Sequence, residues 1–129
     1  MKIIIRDESL TGKIAHEFHL ELDTSTITVR ELIRSRVIEE VKVFNSDRPM
    51  PYMGLMQLRA EELLLNPARS TRLKQKNADT EADLALKAFD NNGFLLLINN
   101  KQYSNPDETI TLQPDTTVSF VKLMPLVGG

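Results

Sequence analysis

The chain has 129 residues, of which 41% are hydrophobic and 26% charged, with a formal net charge of −2. That length is enough for one domain with a sizeable core, and that composition is one of an ordinary globule rather than a disordered or fibrous chain. The slightly acidic balance gives no bulk attraction to nucleic acid or an anionic membrane. The lack of cysteine excludes disulfides, a thiol nucleophile and thiolate metal sites.

The start, Met1-Lys-Ile-Ile-Ile-Arg-Asp-Glu8, has too short an apolar run for a signal peptide, and no run approaches transmembrane length. With no cysteine, a reducing compartment and a cytoplasmic location are expected. Residues 2–6 predict a short isoleucine-rich strand, followed by a turn from Asp7 to Gly12. Over 13–22, Ile14, His16, Phe18, Leu20 and Leu22 share one parity, and Lys13, Ala15, Glu17, His19 and Glu21 the other. This alternation predicts a second strand with one wet face, hairpinned to the first.

A helix comes next. Thr28-Val-Arg-Glu31 has the spacing of a capping box, in which the threonine accepts from a backbone amide and the glutamate reaches back. Val29, Ile33, Val37, Val41 and Phe44, with Leu32 alongside, form one apolar stripe on a helix of about 16 residues ending near Asn45.

Residues 46–93 change character. Ser46 to Gly54 contains two prolines and reads as a loop, and Leu55 to Leu65 reads as a helix stopped by Asn66-Pro67. Arg69 to Asn77 is polar and basic, through Arg69, Arg72, Lys74 and Lys76. Asp79 or Thr80 is expected to cap another helix over about 80–91, with Leu84, Ala85, Ala88 and Phe89 inward and Asn91-Asn92-Gly93 as its stop.

Strand character returns at Phe94-Leu-Leu-Leu-Ile98. Asn99-Asn100-Lys101 reads as a tight turn, with Gln102-Tyr103 starting a short return strand. Pro106-Asp107-Glu108 and Gln113-Pro114-Asp115-Thr116 read as turns on either side of apolar Ile110 and Leu112. Thr117 to Leu123 is the last strand, with Val118 and Phe120 on one face and Ser119, Val121 and Leu123 on the other. Without 46–93, what is left is two strands, a helix and two or three strands. The helix must cover the apolar face of the sheet, and the first and last strands are expected to lie side by side, parallel, at its centre.

The last strand runs on through Leu123, Met124, Pro125, Leu126 and Val127 into Gly128-Gly129. A frayed end would be expected to be polar; this one keeps apolar side chains beside the glycines. Two residues without side chains can pass a crevice that has no room for a Cβ and can adopt varied dihedrals. Pro125 stiffens the tail and biases Met124 towards an extended shape. Residues 124–129, if extended, reach roughly 20 Å.

That element order, closed by Gly128-Gly129, resembles the β-grasp fold of ubiquitin-like proteins. Leu112-Gln-Pro-Asp-Thr-Thr-Val-Ser-Phe-Val-Lys-Leu-Met-Pro-Leu-Val-Gly-Gly129 is similar to the ending of the sulfur-carrier branch, the molybdopterin synthase small subunit and the thiamine-pathway carriers. Leu97 to Tyr103 resembles the strand–turn–strand before it. The resemblance covers 1–45 and 94–129; it is specific at the tail and topological elsewhere. Residues 46–93 have no counterpart in compact sulfur carriers or ubiquitin, and look like the insertion in some bacterial ubiquitin-like modifiers.

The resemblance implies an α+β chain: one ubiquitin-like domain over 1–129, a mixed sheet packed on one main helix, with 46–93 as a helical insertion and 124–129 as an exposed tail. It implies a carrier or modifier rather than an enzyme. A ubiquitin-activating-type partner would use ATP to adenylate the Gly129 carboxylate, and Leu123, Met124, Pro125, Leu126, Val127 and Gly128 would form the docking tail. A conjugating enzyme, a deconjugating protease and a target protein are the further partners implied; no nucleic acid, membrane, metal or resident cofactor is. A sulfur carrier ending in a thiocarboxylate and a purely non-covalent interaction domain are the alternatives.

Other candidate residues carry less. His16 and His19 fall on opposite strand faces and are poorly placed to share a metal; His16 is expected at the core margin and His19 in solvent. The adjacent pairs Glu39-Glu40 and Glu61-Glu62 read as solvated helix faces rather than a facing acid–base pair. The basic run Arg69–Lys76, lacking interleaved aromatics, reads as a charged loop.

Overall fold

The computed structural model describes residues 1–46, 55 and 76–123. The expected 46–54 loop beyond Ser46, the helix over 55–65 beyond Leu55 itself, and most of the basic run therefore lie outside the described residues, as does the pair Glu61-Glu62.

β1 (Lys2–Glu8) runs two residues further than its isoleucines suggest. Asp7 is not in the turn as expected: it occupies the third inward position of β1, after Ile3 and Ile5, and is just as buried as they are. The turn is shorter, with Ser9 N–H donating to the Lys13 carbonyl at 2.9 Å and Gly12 in the left-handed region at φ +84°. β2 (Ile14–Glu21) returns antiparallel to β1, with Ile5 opposite Phe18 and Asp7 opposite His16. The alternation expected of β2 is present, with His16 half-buried and His19 exposed.

β3 (Thr26–Thr28) leads directly into α1 (Val29–Asn45). The capping box forms: Glu31 N–H donates to Thr28 Oγ1 at 3.1 Å and Thr28 N–H to Glu31 Oε2 at 3.4 Å. Every residue of the expected stripe is buried, and so are Arg36 and Glu40. Glu40 thus departs from the solvated face expected of the Glu39-Glu40 pair. It lies one helical turn beyond Arg36, on the inward side, whereas Glu39 points outward to a distant contact with Lys42 at 3.7 Å.

α2 (Ala78–Asp90) starts earlier than expected. Its cap is Asn77, whose Oδ1 accepts from Thr80 N–H at 3.0 Å, not Asp79 or Thr80. Its inward stripe is also rotated: Glu81, Ala82, Ala85, Leu86 and Phe89 are buried, while Leu84 and Ala88 are intermediate. The stop is a Schellman arrangement. Asn92 takes φ 60°, its N–H donates to the Phe89 carbonyl at 3.1 Å, and Gly93 N–H reaches back to the Ala88 carbonyl at 2.7 Å. A Cβ on Gly93 would stand 3.1 Å from that carbonyl oxygen, so the close return favours glycine.

β4 (Phe94–Ile98) and β5 (Lys101–Tyr103) are joined through Asn99 and Asn100, both at positive φ as a tight two-residue hairpin requires. β6 (Thr109–Thr111) pairs antiparallel with β3, joining buried Ile27 to buried Ile110. β7 (Thr117–Lys122) closes the main sheet, with Val118 and Phe120 fully buried.

The main sheet has the order β2-β1-β7-β4-β5, and β3-β6 forms a second, two-stranded sheet. β1 and β7 are parallel and the other neighbours antiparallel, so the first and last strands do lie side by side. The chain is thus α+β: a five-stranded mixed sheet, a small second sheet and two helices among the described residues. This is compatible with the β-grasp arrangement expected above. The core lies between the sheet and α1: Ile3, Ile5, Leu96, Val118 and Phe120 meet Leu32, Ile33 and Val37. Each such side chain contributes about 1.5–3 kcal/mol through apolar burial.

Candidate functional site

Of the expected tail residues, Leu123 is described; Met124, Pro125, Leu126, Val127, Gly128 and Gly129 lie outside the described residues. Leu123 directly follows β7 at a half-buried bend, and its N–H donates to the Gly93 carbonyl at 3.1 Å. The root of the tail is therefore tied to the glycine that ends α2 and leads into β4. Beside it, Leu95 and Val121 are cross-strand partners on the outer face of the sheet, and both are half-buried. The outward parity expected of Ser119, Val121 and Leu123 holds.

Under the root of the tail, on the inner face, lies a cluster the sequence reading missed. Arg36 is 0% exposed. Its Nη1 and Nη2 donate to the two oxygens of Asp7, at 2.6 Å for Nη2 to Oδ2, and its Nε donates to Glu40 Oε1 at 2.7 Å. The guanidinium carbon stands 4.4 Å from the Phe120 ring centroid and 5.4 Å from that of Phe18. An aromatic chain continues from Phe120 through Phe94 to Phe89, at centroid separations of 5.8 Å and 5.5 Å. Arginine suits this place because its fork grips one carboxylate bidentately while its planar faces rest on rings.

The electrostatics follow from the burial. Burial works against the charge of Arg36, but Glu40 and Asp7 outweigh it and raise its pKa above the ordinary value. Burial also pushes the Glu40 carboxyl up, against the pull of Arg36 and the Leu55 N–H. Lys122, at the end of β7, is pushed down by burial, with Asp7 opposing. Sealed between sheet and helix, the Asp7–Arg36–Glu40 cluster offers no access to a substrate. It joins β1 to α1 beneath Phe120 of β7. Lys76, expected in a charged loop, is also buried, with its ammonium 5.7 Å from the Phe44 ring centroid.

The signal for this cluster was present in the sequence. Arg36 and Glu40 continue the Leu32-to-Phe44 face at four-residue steps, and Asp7 continues the period of two set by Ile3 and Ile5. Charged residues on an apolar period read as interruptions when each element is taken alone; three interruptions of complementary sign indicate a buried network.

Among the described residues, two large apolar side chains stand in solvent: Leu10 at 67% and Ile14 at 47%, at and just after the β1–β2 turn. Among the described residues no group of His, Asp and Glu is arranged to hold a metal ion, and no helix is long and apolar enough to cross a membrane. The tail root at Leu123, with its neighbouring outer face, is the candidate site because it leads into the segment singled out in the sequence. Comparison of the chain with protein-family models, with characterised proteins and with solved structures gave no match.

Proposed function

We propose that this chain is a ubiquitin-like modifier of β-grasp architecture, with Gly129 as its point of covalent attachment. One combination of observations carries the reading. The strand order β2-β1-β7-β4-β5 lies under one main helix, and β7 runs on in sequence through Leu123-Met-Pro-Leu-Val to Gly128-Gly129. Such a frame can offer a narrow, apolar, glycine-ended segment to another protein.

The chemistry belongs to a partner. A ubiquitin-activating-type enzyme adds the Gly129 carboxylate to the α-phosphate of ATP, releasing pyrophosphate and leaving an acyl adenylate. A thiol on the activating or conjugating enzyme displaces AMP, and a target amine or hydroxyl then displaces that thiol to form an amide or ester. Leu126 and Val127 supply apolar contact in docking, and Pro125 lowers the ordering cost.

A second reading is favoured by the stretch from Leu112 to Gly129, which is similar to the sulfur-carrier ending. In that case sulfide equivalents displace AMP and leave a thiocarboxylate. Mass spectrometry of the terminal peptide after incubation with the cognate activating enzyme and ATP separates the two. A Gly-Gly remnant on a target lysine, or an ester on a hydroxyl, marks a modifier; replacement of a terminal oxygen by sulfur marks a carrier. Deleting Gly128 and Gly129 is expected to abolish every such product and leave the thermal unfolding transition unchanged. If activity in the native pathway survives the deletion, the interaction-domain reading replaces both.

A further inference from the structure

The main sheet ends at β5 on one side and at β2 on the other. β5 is three residues long and opens on Lys101, and both features discourage a further strand. β2 is eight residues long and contains no lysine or proline. Its irregularity falls at Ala15, opposite the step from Asp7 to Glu8. Residues 16–21 therefore form a regular edge, and among the described residues nothing pairs with it.

The phase of that edge is set by β1. Met1 and Leu22 exchange both backbone bonds, Met1 N to the Leu22 carbonyl at 2.9 Å and Leu22 N–H to the Met1 carbonyl at 2.8 Å. Antiparallel pairs alternate, so Leu20, Phe18 and His16 also turn their backbone groups towards β1. Glu17, His19 and Glu21 turn theirs outward. The side chains of these three residues share the outer face of the sheet and are exposed. Glu17 Oε2 accepts from Arg6 Nε at 2.6 Å, and Glu21 Oε1 accepts from the N-terminal amine at 2.9 Å.

A second copy of β2 can join this edge antiparallel only where outward residues meet outward residues. A two-fold axis at Phe18 sets Glu17 opposite His19 of the second copy, and His19 opposite Glu17. An axis at Glu17 sets that residue against itself, one at His19 sets Glu17 against Glu21, and one at Leu20 sets Glu17 against Asp23; all are like-charge contacts. An axis at His16 runs into the irregularity at Ala15. In the Phe18 register, Arg6, Glu17 and the facing His19 form one row across the junction. The imidazole donates to the carboxylate as a neutral ring and attracts it as a cation. On the inner face the two Phe18 rings meet in the closely spaced kind of pair.

We propose that the β2 edge is a self-association surface. Two copies of the chain join β2 to β2, antiparallel about Phe18, in one continuous sheet with five strands from each. The ladder is short, so the dimer is weak and reversible. The axis reverses the second copy, so the two Leu123 tail roots lie at opposite ends of the joined sheet. This inference stands whether or not Gly129 is a site of attachment.

The test is sedimentation equilibrium of the full chain from about 10 μM to about 1 mM, with amide hydrogen exchange at both limits. A dimer is expected to form within that range. The Glu17 and His19 amides should exchange more slowly as concentration rises, and those of Lys101 to Tyr103 should not change. His19→Glu sets carboxylate against carboxylate and should weaken association about tenfold or more. Adding Glu17→Lys restores opposite charges at the loss of an exposed contact with Arg6, and should return the affinity to within about threefold of the parent. A parent that stays monomeric at about 1 mM overturns the proposal. So does protection that appears at β5 in place of β2, a dimer indifferent to His19→Glu, or a double variant no tighter than His19→Glu alone. If a variant does not fold, the concentration dependence of the parent's Glu17 and His19 amides decides alone.

Discussion

The two ends of the interface between α1 and the sheet are built on the same periods and filled with opposite chemistry. At one end Ile3 and Ile5 face Leu32 and Ile33. At the other, the next inward residue of β1 is Asp7, and the inward residues of α1 include Arg36 and Glu40 beside Val37 and Val41. The apolar end gains free energy in proportion to area and tolerates small changes of register, since one methyl group can replace another. The charged end contributes little net stability of its own, because desolvation offsets attraction. Its geometry is demanding, because a bidentate fork is satisfied at one relative position of helix and strand. Area thus drives the helix onto the sheet, and the cluster at its end fixes where the helix comes to rest.

This contrast can be broken most severely at Arg36. Arg36→Ala leaves Asp7 and Glu40 buried without their cation and should cost about 3–5 kcal/mol, read from denaturant unfolding. A cost below about 1 kcal/mol would mean that water or Lys122 takes over, and would erase the distinction between the two ends.

The contrast is sharpened by making the charged end apolar. The triple substitution Asp7→Leu, Arg36→Met and Glu40→Leu should be neutral to stabilising, by up to about 1–4 kcal/mol. If positioning is the role of the cluster, the gain in stability should come with broader NMR lines or altered shifts along α1 and β7. A triple variant that is less stable than the parent would show that the network is a net source of stability.

The smallest expected effect lies outside both ends. Thr28→Ala removes the capping box and should cost about 1 kcal/mol by thermal or chemical denaturation. Because Thr28 belongs to neither end, its effect should add to that of Arg36→Ala with little coupling. Strong coupling would mean that the helix responds as a rigid rod from cap to cluster.

Much of the frame was legible. The Thr28–Glu31 spacing and the Val29-to-Phe44 stripe define α1 to within a residue or so, because a long helix repeats its signal through several turns. The alternation over 13–22 and the apolar run at 94–98 give β2 and β4 for the same reason. β3 and β6 were not anticipated as a pair, because three residues are too few to show a period and Ile27 and Ile110 meet only in space. α2 was read about two residues late, since Asn77 caps from just before Asp79 and Thr80, which are themselves good caps. Asp7 was assigned to a turn, Glu40 to a solvated helix face and Lys76 to a charged loop because charge argues for exposure one residue at a time; Asp7 is buried by Arg36 of another element, and Glu40 by Arg36 of its own helix together with Leu55. At the candidate site the parity of Val121 and Leu123 could be read from the strand, but the tie from Leu123 to Gly93 could not, because it joins residues 30 apart.

The parallel pairing of β1 with β7 has a consequence for the order in which the structure can form. Ile4 faces Thr117 and Glu8 faces Val121, so the central pair of the sheet closes a loop of roughly 110 residues. Closing a flexible loop of that length costs about 4 kcal/mol in chain entropy, and adding or removing some thirty residues between α1 and α2 changes the figure only by tenths. The β1–β2 hairpin, α1 and the β4–β5 hairpin involve only local contacts and are expected to be fast. Phe120 arrives with β7 and closes over the guanidinium of Arg36. Until then the buried charges remain hydrated, and their desolvation falls late in folding, at the step that also joins the two halves of the chain.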